Sequence, residues 1–182
     1  MVFIDAGANL GGTILKYCSD RNTEIHAFEP NAHLLDKPIW NALKDKYKNL
    51  NIYNKAVWIS ECTMDFYVDP KKKSKGSTLF NKKVNAKAYK PMTVECINFP
   101  KFLQLLNKKH VHLKMDIEGG EYQVLSSMIE LNLLDNIDWL FVEFHNNKVP
   151  GMNRLHSTLF SKLSSIYQVK HIRKTEFIFR RK

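Results

Sequence analysis

The stretch VFIDAGANLGG, beginning at Val2, constrains this chain more than any other. An apolar run from Val2 to Ile4 passes directly into a carboxylate at Asp5 and then into Gly7, Gly11 and Gly12. Glycine at the carboxyl end of a strand lets the backbone take positive φ and approach a ligand closely. A helix that follows aims its free N–H groups, and the positive end of its dipole, at a negative group. This is the layout of a site for a nucleotide-type cofactor. A second version, VHLKMDIEGGE, begins at Val111, again an apolar strand ending in acids and glycines.

Around these two turns, apolar runs alternate with amphipathic stretches. VFID and EIHAF read as strands, separated by a helix from Gly12 to Ser19. HLLDKPIWNALKDKY has helical spacing, and Pro38 opens its second piece around Trp40, Leu43 and Tyr47. NIYNKAVWI and TMDFYV read as strands of a hairpin turning near Ser60 and Glu61. PKKKSKGS is basic and without periodicity, hence a loop or flap. MTVECI is a strand, FPKFLQLL a helix, YQVLSSMIELNLL an amphipathic helix and WLFVEFH a buried strand. A helix around Leu155, Leu159 and Leu163 precedes two final strands, YQVKHI and EFIFRRK.

Strands this apolar, alternating with helices, imply a Rossmann-like α/β fold: a doubly wound, mostly parallel sheet covered on both faces. The last two strands are joined too tightly for a crossover helix, so they form an antiparallel pair at the C-terminal end. At 182 residues without an interdomain linker, residues 1–182 read as a single domain.

The formal charge of +10 suits anionic partners such as nucleic acid, a phosphorylated sugar or a charged glycan, or else a lysine-rich solvated surface. No stretch approaches the ~18 apolar residues of a membrane span. No basic segment leads into an apolar one at the start, so a secretory signal is not expected. Cys18, Cys62 and Cys96 are isolated, read as reduced thiols, and make a cytoplasmic location the expectation.

A dinucleotide fingerprint would place a glycine where Asn9 stands, which counts against NAD. Glu29, in AFEP, ends the second strand, where a carboxylate can accept hydrogen bonds from both hydroxyls of a ribose. Its other reading is a cap for a helix beginning near Asn31. Asp-x-Gly-x-x-x-Gly followed by such an acid fits S-adenosyl-L-methionine.

FIDAGANLG, AFEP, NKAV, LKMDIEGGEYQVL and FVEFH occur in order between Phe3 and His145. In these segments the chain resembles the FkbM-type family of Rossmann-like methyltransferases. One departure is Pro100 in INFPKFL, where the family usually carries an acid. The resemblance implies that Asp5, Gly7, Ala8, Asn9 and Gly11 surround the methionine part of the cofactor and that Glu29 holds its ribose. It puts Asn54 to Ala56 near the adenine and Asp116 beside the amino or methyl end. It also implies methyl transfer to oxygen, on a sugar, glycan or related metabolite. A nucleic-acid (RNA or cap) methyltransferase is the alternative that the charge would suit. A binding protein with a degenerate cofactor fold is a third.

Methyl transfer to a hydroxyl needs a base or a metal, because the hydroxyl is a poor nucleophile at neutral pH. The candidates are Glu118, Glu143 and His145, at the carboxyl ends of the fourth and fifth core strands. Glu118 and Glu121 can instead complement a helix dipole. His145 has the pKa suited to a base, or is a hydrogen-bonded rim histidine. His112 reads as a packed strand residue. A metal on Asp116, Glu143 and His145 has no spacing rule behind it, and none is expected.

Overall fold

The computed structural model describes residues 1–68, 76–84, 86 and 89–182. The lysines Lys71, Lys72, Lys73 and Lys75 of the basic stretch lie outside the described residues. The chain opens with β1 (Val2–Ala6), α1 (Gly12–Tyr17) and β2 (Glu24–Phe28). Two helices follow, α2 (Ala32–Leu35) and α3 (Pro38–Lys46), then β3 (Leu50–Tyr53), β4 (Ala56–Trp58) and β5 (Cys62–Val68). Next come β6 (Lys90–Asn98), α4 (Phe99–Leu106), β7 (Val111–Met115), α5 (Glu121–Glu130) and a 3-10 turn at Leu133–Asn136. The rest is β8 (Ile137–Glu143), α6 (Met152–Ile166), β9 (Tyr167–Arg173) and β10 (Glu176–Arg181).

Among the described residues the main sheet has seven strands in the order β3-β2-β1-β7-β8-β10-β9. β3, β2, β1, β7 and β8 pair in parallel, and β10 runs antiparallel between β8 and β9. The expected Rossmann-like sheet with a closing antiparallel pair is thus present, with the last strand inserted rather than added at the edge. The chain winds outward from β1 in one direction and returns to its other side at β7. The carboxyl ends of β1 and β7 therefore flank the switch point of the sheet, where open α/β sheets bind ligands.

Successive side chains of a strand point to opposite faces, and both faces here are apolar. Ile4, Leu113, Leu140 and Val142 join the core beneath α4, α5 and α6. Phe3, Ile25, Trp139 and Phe141 join the core on the side of Ile14, Trp40 and Leu43. Pro38 starts α3 and Pro100 lies in the first turn of α4, positions where a missing N–H costs nothing. Asn98 caps α4 by accepting the Lys101 N–H at 3.0 Å.

The hairpin expected near Ser60 does not form. NIYNKAVWI breaks at Asn54, whose side-chain amide donates to the carbonyls of Glu29 and Pro30, both at 2.9 Å. β3 stays in the main sheet, while β4 crosses to a separate three-stranded sheet of order β4-β6-β5. β6 lies between β4 and β5, parallel to the first and antiparallel to the second, with Ala56 and Cys62 both opposite Cys96. Ala56, Phe66, Val94 and Cys96 form a small core of their own there.

Candidate active site

A cavity of about 890 Å³ opens at the switch point, within the size range of ligand pockets. Its floor is the turn after β1. Gly7 (φ 81°) must be glycine, since a Cβ would lie 2.0 Å from the backbone oxygen of Asp116 in the turn after β7. The two turns touch backbone to backbone, with the Asp116 N–H donating to the Ala6 carbonyl at 3.1 Å. Lys114 of β7 ties them further: its buried ammonium donates to the Gly7 carbonyl at 2.7 Å and lies 3.1 Å from Asp5 Oδ1 and 3.8 Å from Asp116 Oδ2. Burial opposes the charge on Lys114, but the attraction of Asp5 and Asp116 outweighs it and raises its pKa.

Glu29 stands on the opposite wall, 5% exposed. Its Oε2 accepts the Asn9 N–H and its Oε1 the Asn31 N–H, each at 2.9 Å. The two oxygens are thereby fixed in direction, and each retains acceptor capacity on the lined side. Burial pushes the carboxyl up to about 7 against the pull of those two N–H groups. The acid that braces the Asn31 N–H thus also lines the cavity. Asn31 itself accepts the His33 N–H at the start of α2.

Gly7, Ala8, Asn9, Glu29, Ala56, Asp116, Glu118 and Glu143 line this cavity. Asp5, Gly11, Asn54 and His145 do not line it. Asp5 is buried behind Lys114. Gly11 (φ 72°) packs where a Cβ would meet Leu43 at 2.3 Å. Asn54 braces the β2 end.

On the β7 and β8 side, four carboxylates converge on one imidazole. The turn after β7 is tight, with Glu118 and Gly119 at φ 55° and 123°. A Cβ at Gly119 would meet Val149 at 2.8 Å and Phe80 at 3.0 Å. His145 is fully buried, with Nδ1 2.6 Å from Glu121 Oε1. Glu121 Oε2 accepts the Gly119 N–H at 2.9 Å. His145 Nε2 faces Glu118 Oε2 at 3.1 Å, Glu143 Oε1 at 3.5 Å and Asp116 Oδ1 at 3.9 Å. Burial works against a charged ring, yet Glu121 and Glu143, with Glu118 beyond, raise its pKa to about 10. Asp116 is pushed up to about 6, mainly by burial. Glu143 is lowered, chiefly by its contact with His145.

Several residues that shape this site carry no signal in the sequence. Lys83 is buried, bonding Glu118 Oε2 and donating to the Gly76 carbonyl at 2.8 Å. Thr78 donates to the Glu118 carbonyl at 2.7 Å. Glu121, read only as a helix-end charge, is the partner of His145. His112 lies away from this cavity against Trp139, with ring centroids 5.7 Å apart.

The fold and this cavity define a Rossmann-like α/β protein with acidic turns lining a cavity at its switch point. The sequence matches the Methyltransferase FkbM domain over residues 5–175, and the chain belongs to that methyltransferase family. No curated protein and no solved structure matches it.

Proposed function

We propose that the chain is an S-adenosyl-L-methionine-dependent O-methyltransferase acting on a hydroxyl of a sugar, glycan or related metabolite. The observation that carries this reading is one cavity with a ribose-type carboxylate, Glu29, on one wall and an acidic cluster on another. The residues fit the cofactor. Glu29 offers two fixed acceptor oxygens to a ribose, and Asp116 Oδ1 is a buried acceptor without a hydrogen-bond partner among the described residues, suited to an ammonium group. Phe28, Leu34 and Val57 give the same cavity apolar lining for a base. When bound, the cofactor supplies an electrophilic methyl group on sulfur, which leaves as a neutral thioether.

The chain's own task is to align a hydroxyl and remove its proton. Of the three candidates, Glu143 suits proton acceptance best. It lines the cavity, stays ionised, and has no lysine within ion-pair distance among the described residues. Glu118 is engaged by Lys83, and His145 is buried, charged at neutral pH and positions Glu143 from behind. Charge favours a small acceptor over nucleic acid. Lys16, Lys114, Lys148 and Arg173 of the lining face Glu29, Asp116, Glu118, Glu143 and Glu176, so the cavity lacks the excess positive charge a polyphosphate would need.

Calorimetry with S-adenosyl-L-methionine and NAD, then labelled methyl transfer to sugars, nucleotide sugars and RNA, tests the reading. Glu143→Gln should lower turnover by roughly 10²–10⁴-fold with cofactor affinity nearly unchanged. Binding of NAD and not of S-adenosyl-L-methionine would overturn it.

A further inference from the structure

We propose that Cys62 and Cys96 are a disulfide-forming pair, a redox modification site in the small sheet that borders the cavity. Both are free thiols in this structure. They are far apart in the sequence, yet β5 and β6 set them directly opposite each other in antiparallel register. Facing residues of an antiparallel pair point to the same side of the sheet. That side is the small core of Ala56, Phe66 and Val94, in which Cys96 is buried and against which Cys62 packs.

The geometry suits a bond between them. Facing α-carbons of an antiparallel pair stand roughly 4.5–5.5 Å apart, within the ~4.4–6.8 Å that disulfides span. On the other side of β6, Ala56 of β4 faces the same Cys96, and its methyl does not crowd the thiol. Cys62 opens β5 directly after the bend at residues 59–61, so a small approach of the two β-carbons disturbs the ladder on one side only. The two thiols already interact: Cys96 is pushed up to about 12, first by burial and then by the charge of Cys62 and a hydrogen bond with it. Cys18 belongs to a different core, with Ile14 and Trp40.

Cys62 is half-buried, so it is the thiol of the pair that an oxidant reaches, and the Ser60 hydroxyl donates to its sulfur at 3.7 Å. With a peroxide as oxidant, the Cys62 thiolate attacks one peroxide oxygen, the O–O bond breaks, and a sulfenic acid and hydroxide result. The Cys96 sulfur then attacks the Cys62 sulfur. The S–O bond breaks, hydroxide leaves as the S–S bond forms, and both thiol protons end in water. Two thiols and one hydrogen peroxide thus give one disulfide and two waters. A thiol of high pKa is the stronger nucleophile once deprotonated, which suits Cys96 to the second step. The bond closes a covalent ring through residues 62–96, which contains Lys83 and the lining residues Gly76, Ser77, Leu79 and Tyr89. Oxidation therefore tethers one wall of the cavity, whatever reaction the cavity serves.

The test is oxidation of the reduced, desalted full chain with hydrogen peroxide, with neither cofactor nor acceptor present. Free thiols, counted after denaturation, should fall from three per chain to one. Non-reducing peptide mapping should find Cys62 and Cys96 in one cross-linked pair that dithiothreitol releases. Cys18→Ala should cross-link as the wild type does, and Cys62→Ser should not. In Cys96→Ser a sulfenic acid should remain on Cys62, where dimedone traps it. The oxidised wild type should melt several degrees above the reduced form, because the ring restricts the unfolded chain. Proteolytic cleavage inside the ring should leave the fragments joined until reductant is added. Thermal melts identify any variant that is unfolded, and Cys62→Ser, at the half-buried position, decides the matter if Cys96→Ser fails to fold. Three thiols surviving excess peroxide, oxidation of Cys62 past the sulfenic acid without a cross-link, or a bond that needs Cys18 or a second chain would overturn the pair. Absent cofactor binding with the cross-link intact would instead sink the methyl-transfer reading alone.

Discussion

Glu29 is held by the Asn9 and Asn31 N–H groups, yet burial keeps its carboxyl protonated up to about pH 7. Two pH effects follow with opposite signs. The unfolded chain releases this proton near 4.5, so the free protein loses stability as pH rises from about 4.5 to 7. A ribose hydroxyl donates best to the ionised form, so cofactor affinity rises over the upper part of that range and levels off above it. Calorimetry at pH 6 and pH 8 should show affinity about tenfold weaker at the lower pH, as one carboxyl titrating near 7 requires. A flat profile would mean that the ribose is held elsewhere. Glu29 was legible in the sequence because an acid ending the second strand is a local signal. That Asp5 and Gly11 serve the turn from behind the lining was not, since it depends on Lys114 and Leu43 arriving from distant elements.

At the scale of elements, what could be read was what has a period. The core strands and the helices alternate faces at regular spacing, and Pro38 marks a helix start. The small second sheet was hidden because β4 pairs with a strand about 40 residues away, in parallel, and no turn signal announces it. The histidine cluster was only half visible for a related reason. Glu143 and His145 are neighbours in sequence, but the contact that fixes the ring spans 24 residues.

Residues 76–84, which precede β6, show the same limit. Lys83 anchors them by burying its ammonium against Glu118 and the Gly76 carbonyl, and Val84 donates to the Lys148 carbonyl at 2.9 Å. Breaking a buried ion pair by removing one partner costs about 3–5 kcal/mol, and less here because the Glu118 side chain is 19% exposed. Lys83→Met should therefore lower the melting temperature and speed limited proteolysis in this segment ahead of the rest of the chain. Cleavage at the wild-type rate would show that the segment is held by Thr78 and Val84 without its lysine.

Over the whole molecule, the formal charge of +10 and the composition of the cavity point to different partners. The excess lies outside the lining, where Lys114 is consumed by Asp5 and Asp116, and Glu118 takes Lys83. Among the described residues no helix is long and apolar enough to cross a membrane. A small acceptor sitting in the cavity meets nearly balanced charges, and its Michaelis constant should change little with salt once exposed charges are screened beyond about 10 Å. A nucleic acid laid across the basic surface releases counterions, and its apparent affinity falls with a logarithmic slope of roughly 0.7 per phosphate contacted on a single strand. Neutralising Lys71, Lys72, Lys73 and Lys75 together separates the two further. For a small anionic acceptor, the quadruple variant should raise the Michaelis constant modestly at low salt and converge with wild type at high salt, with cofactor affinity unmoved. A steep slope in wild type that flattens by several units in the variant would identify nucleic acid as the acceptor and overturn the glycan reading.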